Sequence, residues 1–273
     1  ELNFENPPGD VHIKYGYIRD DDVYVIKIAS GFYQNKLLGL SNGQGMMVVF
    51  DQKNGKPLGL LQDEGYLTDV RTAVAGAICA KYLAPNNIQA IGIIGTGVQA
   101  RMQLEYLKSV TDCRSAIVWG RSKSALDQYR TSMADSGFII ETTMALDQVT
   151  DNCNLIVTCT ASEKPLIIKD QIKGKIHITA MGSDTPNKQE LDSNVLSKAD
   201  LIIADSRSQC EVRGEIHHAI KNKIVSMDSI VELGEIINGD RQGRTTGSEL
   251  TVADLTGVAV QDIQISKAVL SNI

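Results

Sequence analysis

The chain has 273 residues, 27 Lys+Arg against 33 Asp+Glu for a formal net charge of −6, and 42% hydrophobic with 22% charged residues. That apolar content excludes a disordered chain, and the acidic balance argues against nucleic acid or an anionic membrane as partner. No apolar run approaches the roughly 18 residues of a bilayer span, and the length fits two domains, or one large one, at about 100–200 residues each. From Val11 to about Leu61 the segments are short, strand-like and broken by turn residues: Tyr15–Ile18, Val23–Ile28, Met46–Phe50 and Leu58–Leu61. Asn54-Gly55 between the last two is a hairpin signal, since both residues tolerate positive φ. Thr68-Asp69 then stands as a capping pair before a small-residue helical run from Arg71 to Leu83, closed by Pro85.

From Ala90 the texture changes to buried strands alternating with helices. Strands are expected at Ala90–Gly95, Ala116–Gly120, Phe138–Glu141, Leu155–Cys159, Ile176–Ala180 and Leu201–Ala204, and helices at Val98–Val110, Lys123–Ser136 and Gln189–Lys198. Short continuous apolar strands separated by helices define an α/β fold with a Rossmann-type doubly wound parallel sheet covered on both faces. Beyond Ile216 a helical or mixed tail follows. Gly234–Gly247 reads as a polar loop, and Leu250–Val260 as a return to the first domain. The resulting division is 1–84 plus 250–273 for the smaller α+β domain and 85–249 for the dinucleotide-binding domain.

The sharpest local feature is Gly95-Thr96-Gly97-Val98-Gln99-Ala100, a G-x-G-x-x-A sequence between an expected strand and an expected helix. Gly95 permits the tight turn, Gly97 lets the backbone approach a pyrophosphate, and Ala100 allows close helix–strand packing. A pyrophosphate would then meet the free N–H groups of the helix N-terminus. A glycine pair alone can serve turn geometry, but the surrounding alternation favours a dinucleotide. The second strand ends Val118-Trp119-Gly120-Arg121-Ser122-Lys123, with no carboxylate to hold a ribose 2′-hydroxyl. Arg121, Ser122 and Lys123 suit a 2′-phosphate, so NADP is preferred over NAD; a solvated basic helix start is the competing reading.

Three further residues stand out. Asp184, in Met181-Gly-Ser-Asp184-Thr-Pro, lies just past the fifth expected strand, where open parallel sheets bind ligands; a turn or helix cap is an equal alternative. Arg71 opens the first long helix, a position suited to gripping an anion. Lys27 interrupts the apolar strand Val23–Ile28, where a buried charge needs a partner, unless it faces outward on a half-exposed strand. His12, His177, His217 and His218 have no metal-ligand spacing, so no metal is expected, and His217-His218 reads as a helix surface pair. There is no GxSxG elbow and no Walker motif. Five cysteines, odd in number and without a CxxC pair, indicate reduced thiols in a cytoplasmic protein.

Tyr66-Leu-Thr-Asp-Val-Arg-Thr72, Ile93–Arg101, His177–Asp184, Gly214-Glu-Ile216 and Asp254–Asp262 together resemble the ornithine cyclodeaminase/mu-crystallin family over nearly the whole chain. The resemblance implies a small dimerisation and substrate domain formed by both chain ends, beside an NAD(P)-binding Rossmann domain, in a homodimer. It implies Lys27 and Arg71 as the grip on a substrate carboxylate and Asp184 as the general acid/base. It further implies Gly95, Thr96, Gly97, Val98 and Gln99 as the pyrophosphate turn and Thr158 as a cofactor contact. Members act at the α-carbon of amino or imino acids. No basic-then-apolar leader is visible, and the resemblance implies an upstream segment of several tens of residues, including an arginine, ahead of Glu1. Ornithine cyclodeaminases have a carboxylate thirteen residues before the Lys27 position, where this chain has Lys14. A cation there opposes a substrate's distal ammonium. The expected activity is therefore NAD(P)H-dependent reduction of a cyclic imino acid such as Δ1-pyrroline-2-carboxylate. The alternatives are an ornithine cyclodeaminase and a non-catalytic mu-crystallin-like NADP-binding protein.

Overall fold

The computed structural model describes residues 2–32 and 34–272. It divides into two units: one takes in the chain up to Thr72 and from Gly257 onward, the other Ala73–Thr256.

The first unit is a five-stranded antiparallel sheet in sequential order, β1 (Leu2–Glu5), β2 (Pro8–Tyr17), β3 (Val23–Phe32), β4 (Gly43–Asp51) and β5 (Pro57–Gln62). The Asn54-Gly55 turn joins β4 to β5, with Gly55 at φ +75° and the Asp51 carboxylate accepting from Lys53 N. The C-terminal helix α9 (Ala259–Leu270) packs on one face of this sheet. Strand alternation turns Val23 and Val25 of β3, with Met47 and Val49 of β4, towards Ile263 of α9, which makes the unit's small core. The opposite face carries Ile13, Tyr15 and Tyr17 of β2, opposite Ile28, Ile26 and Tyr24 of β3. Tyr24 stacks on Phe50, with ring centroids 4.8 Å apart, while Tyr15 is 75% exposed. That face is apolar yet open.

The second unit holds eight parallel strands in the order β12-β11-β13-β10-β9-β6-β7-β8. These are β6 (Ile91–Ile94), β7 (Ser115–Trp119), β8 (Ile139–Thr143), β9 (Leu155–Thr158), β10 (His177–Ala180), β11 (Leu201–Ala204), β12 (Ile230–Glu232) and β13 (Thr251–Asp254). From β6 the chain builds outward through β7 to β8, then returns to the other side of β6 with β9 and β10. The switch in winding direction falls at β6, and a crevice opens beyond the C-terminal ends of strands at such a point. Helices α2 (Val98–Leu107) and α3 (Lys123–Ser132) cover one face, where Ala100, Leu104, Leu107 and Tyr129 pack on Ile91, Ile93 and Val118. On the other face Ile94, Ile156 and Ile178 pack with Val149 of α4 (Asp147–Asn152). Each fully buried side chain of this size contributes about 1.5–3 kcal/mol.

The expected domain limits are corrected at both crossings. Helix α1 runs Tyr66–Leu83 and passes from one unit to the other within its length: Ala75, Cys79 and Leu83 join the second unit's core beside Ile203, Val231 and Ala253. Residues 73–84 therefore leave the smaller domain. Thr251–Asp254 pairs with both β10 and β11, so it is an interior strand of the parallel sheet, and the return to the first unit begins only at Gly257. The sheet gains two strands over the six expected, β12 being only three residues long. Helix α1 also starts three residues before the Asp69 cap position, with the Asp63 carboxylate accepting from Leu67 N. Part of the expected Gly234–Gly247 loop is helix α8 (Leu233–Asn238).

Candidate active site

In the first unit, three cations and one carboxylate converge. Lys27 lies mid-strand in β3 on the face turned to α9, and only 1% of its surface is exposed, which overturns the outward-facing alternative. Its Nζ donates to Asp262 Oδ1 at 2.9 Å. Arg71, in the second turn of α1, is also buried and places Nε 3.1 Å from the same oxygen. Its Nη1 donates to Gln261 Oε1. Asp262 and Gln261 are consecutive on α9, so the first turns of the C-terminal helix supply the acceptors for both cations. Lys14 stands directly opposite Lys27 in the β2–β3 register and donates from Nζ to Gly257 O at 2.8 Å.

Gly257 has φ +80°, and a Cβ built there would lie 2.7 Å from Arg71 Nη1 and 3.2 Å from Lys14 Nζ. The left-handed backbone conformation favours glycine at this position. The Lys27 ammonium is pushed down to about 7, first by burial, then by the Arg71 guanidinium and Lys14, against the opposing pull of Asp262. Asp262 Oδ2 is buried without a hydrogen-bond partner among the described residues. Such a cluster, with donors already oriented, is chemically suited to an anion such as a carboxylate.

In the second unit the glycine turn follows β6 directly. Gly95 has φ +131°, and a Cβ there would approach the Cys159 carbonyl to 3.0 Å, so the turn requires glycine. Gly97 is the N-cap residue of α2 and supplies no side-chain cap, leaving the first N–H groups of the helix to another acceptor. A Cβ on Gly97 would meet nothing within 4 Å. The space above the turn is therefore open, and these residues fit a dinucleotide pyrophosphate. Around it, Val98 is exposed, Gln99 Oε1 accepts from Gln103 Nε2, and the Thr96 carbonyl accepts from Arg101. Arg121 and Lys123 are exposed at the start of α3, and the Ser122 hydroxyl caps that helix by accepting from Ala125 N at 3.5 Å.

Thr158 ends β9. It is fully buried, and its hydroxyl donates to Glu190 Oε2 at 2.7 Å. Glu190 also accepts from Thr160 N and from Gly182 N, so Thr158 helps tie down the loops after β9 and β10. Glu190 was not visible as functional in the sequence. Two more buried carboxylates act similarly: Glu215 accepts from the backbone of Glu190 and Leu191, and Asp254 from Ile216 N. Burial raises the pKa of all three.

Asp184 follows β10 on one of these tied loops. It caps no helix; α5 (Ser193–Leu196) is capped by Asp192 instead. Asp184 Oδ1 pairs with Lys188 Nζ at 2.7 Å and its side chain is 41% exposed. The Lys188 carbonyl accepts from Ser183 Oγ and faces His218 Nε2 at 2.9 Å. His217 and His218 are half-buried on α7 (Gly214–Lys221), ring centroids 5.4 Å apart, rather than a surface pair. Among the described residues no group of His, Cys, Asp and Glu has metal-holding geometry. Lys27 and Arg71 thus come together in the first unit, while Asp184 and the glycine turn belong to the second.

An α/β Rossmann-type unit with an uncapped glycine turn, accompanied by a buried cation cluster, defines a dinucleotide-dependent class of protein acting on carboxylates. The chain belongs to the ornithine cyclodeaminase/mu-crystallin family, whose family model matches residues 2–273. It is 39% identical over 267 residues to an uncharacterized cyclodeaminase of Sinorhizobium fredii, covering 97% of this chain and 81% of that protein. It is 34% identical over 253 residues to the iminosuccinate reductase of Paracoccus denitrificans, covering 92% and 78%. Among solved structures, an archaeal alanine dehydrogenase dimer with bound NAD superposes with a TM-score of 0.90 at 31% identity, covering 100% of this chain and 84% of that one. The Δ1-pyrroline-2-carboxylate reductase of Thermococcus litoralis, in complex with NADH and L-proline, gives 0.84 at 25% identity, covering 96% and 86%. No helix among the described residues is long and apolar enough to cross a membrane.

Proposed function

We propose that this chain is an NAD(P)H-dependent reductase of an α-imino acid, such as the cyclic Δ1-pyrroline-2-carboxylate, giving an amino acid such as proline. The observation that carries the reading is the Lys27–Arg71–Asp262 cluster, a preoriented carboxylate site in a chain that also has an open dinucleotide turn. Lys27 and Arg71 neutralise and orient the substrate carboxylate. Asp184 stabilises the protonated imine and manages the proton on its nitrogen, with Lys188 holding its carboxylate in place. One hydride on carbon and one proton on nitrogen convert C=N to CH–NH, the hydride being what a bound reduced nicotinamide supplies. Residues Gly95–Gln99 hold the pyrophosphate. Arg121 and Lys123, with no carboxylate at the end of β7, favour NADPH over NADH.

The apolar open face of Ile13, Tyr15, Tyr17, Tyr24 and Ile26 is the seat of a second copy of the chain, in keeping with the dimer described for the archaeal alanine dehydrogenase. Five cysteines, all unpaired, are consistent with a cytoplasmic location.

The test is nicotinamide absorbance with NADPH and NADH separately and Δ1-pyrroline-2-carboxylate as acceptor. Oxidation is expected, faster with NADPH, and Asp184→Asn abolishes it while leaving cofactor affinity in place. Ammonia and proline formed from ornithine, without net oxidation of cofactor, would instead identify a cyclodeaminase.

A further inference from the structure

Past the ends of β9 and β10 the chain makes two loops that run against each other, and one buried side chain holds both. Glu190 is 0% exposed. Its Oε1 accepts from Thr160 N at 2.6 Å and Thr160 Oγ1 at 2.7 Å, in the loop after β9. Its Oε2 accepts from Thr158 Oγ1 at 2.7 Å and, in the loop after β10, from Gly182 N at 2.9 Å. The loops also touch directly. A Cβ built on Gly182 would lie 2.1 Å from the Thr160 carbonyl oxygen and 2.7 Å from Glu190 Oε2, so a side chain there would push them apart. Glu190 is anchored in turn by its own N–H, which donates to Glu215 Oε1 at 2.7 Å. Between Gly182 and Glu190 the chain forms a closed loop: Ser183 Oγ donates to the Lys188 carbonyl at 2.5 Å, and Lys188 Nζ to Asp184 Oδ1 at 2.7 Å. Glu190 thus closes the neck of the loop that carries Asp184. Burial pushes its carboxyl up, against four hydrogen bonds that favour the anion.

Resting on the reductase reading above, we infer that Glu190 is a positioning residue for Asp184: it clamps the neck of the 182–190 loop to the loop after β9 and so fixes the Asp184 carboxylate for its work on the imine nitrogen. A group that manages a proton acts only within hydrogen-bond reach, so a displacement of about 1 Å is enough to slow the reaction. The clamp needs a carboxylate, because two acceptor oxygens serve two loops at once. In Glu190→Gln the size is kept but one acceptor becomes a donor. The Thr160 side has the shorter backbone bond and a hydroxyl that already accepts from Ser162 N, so it keeps the amide oxygen. The amide nitrogen then faces Gly182 N–H, donor against donor, while the Thr158 hydroxyl turns to accept from it. The bond lost is the one at the neck of the Asp184 loop, and the loop after β9 stays held.

The experiment measures Δ1-pyrroline-2-carboxylate reduction, NAD(P)H affinity and backbone hydrogen exchange by mass spectrometry in the wild type and Glu190→Gln. In the variant kcat is expected to fall at least about tenfold, while the Kd for dinucleotide and the KM for the imino acid stay within about twofold. Exchange is expected to quicken at Gly182–Asp184 and to stay as it is at Thr160. A carboxylate that served stability alone would lower the melting temperature and leave the kcat of the folded protein in place. A kcat within about twofold of wild type, or unchanged exchange at Gly182–Asp184, therefore overturns the inference while the reductase reading stands. A kcat loss matched by an equal loss of dinucleotide affinity overturns it too, since Glu190 would then act on the cofactor. If the wild type reduces no imino acid, the reductase reading fails, and exchange by itself decides whether Glu190 holds the Asp184 loop. Should Glu190→Gln not fold, Thr158→Val removes one of the two donors on Oε2 and is expected to give smaller changes in the same directions. No change in either kcat or exchange in that variant overturns the inference.

Discussion

Asp262→Asn removes the one carboxylate that two buried cations share. Lys27 Nζ and Asp262 Oδ1 are 2.9 Å apart, both side chains are 2% exposed, and Arg71 Nε is 3.1 Å from the same oxygen. Breaking a buried pair from one side costs about 3–5 kcal/mol, because the remaining charge stays desolvated without its partner. Lys27 can escape part of that by shedding its proton. Its ammonium already sits at about 7 against an ordinary 10.5, and Asp262 is the group holding it up. Below the folded value, wild-type Lys27 is protonated in both folded and unfolded states, so this group makes stability independent of pH. Between the folded value and 10.5 the unfolded chain binds more protons, and stability rises with pH. In Asp262→Asn the rise starts at a lower pH. The variant therefore recovers about 1 kcal/mol on the wild type for each pH unit by which the onset moves. Urea midpoints at about pH 6 and about pH 8 are the assay, with a deficit of about 3–5 kcal/mol expected at the lower pH and one smaller by about 1 kcal/mol at the higher. A deficit below about 1 kcal/mol at the lower pH, or one that widens as pH rises, refutes the reasoning.

Two further outcomes follow from the turn and the open sheet face. Gly97→Val places its side chain in space where a Cβ meets nothing within 4 Å, so it should leave the melting temperature nearly unchanged yet weaken dinucleotide binding at least about tenfold, measured by nicotinamide fluorescence titration. Tyr15→Asp puts a charge at the centre of the apolar face; sedimentation should show a dimeric wild type and a monomeric variant, and a variant that stays dimeric would remove this face as the interface.

Much of the fold was readable from local pattern, because fully buried parallel strands appear as short apolar runs between helices. Ile91–Ile94, Leu155–Thr158 and Leu201–Ala204 are of that kind. What local pattern lacks is pairing order. Thr251–Asp254 is short, polar at both ends and follows a long irregular stretch, so nothing nearby distinguishes an interior strand from a linker; its place between β10 and β11 is a long-range fact. The same limit explains the boundary within α1. The periodicity of one continuous helix says nothing about where its contacts change from one unit to another.

The site divides along the same line. Lys27 was visible because a charge within an apolar strand is an anomaly that needs a cause, and Arg71 because a cation at the start of a helix is suited to gripping an anion. Asp262 drew no role, although it ends the last family-like segment and is the only acidic residue of α9. Its signal was present in another form: it shares the buried side of that helix with Ile263 and, one turn on, Ser266. A lysine buried in a strand requires an anion, and a carboxylate on the buried stripe of a helix requires a cation. Each anomaly therefore constrains the other, even at a separation of 235 residues. The buried carboxylates of the second unit resolve by a different route. Glu190 and Glu215 accept two or more hydrogen bonds each, largely from backbone amides, and so need no lysine. Only a buried carboxylate without such amides, as at Asp262, points to a distant cation and to the anion site that the cation builds.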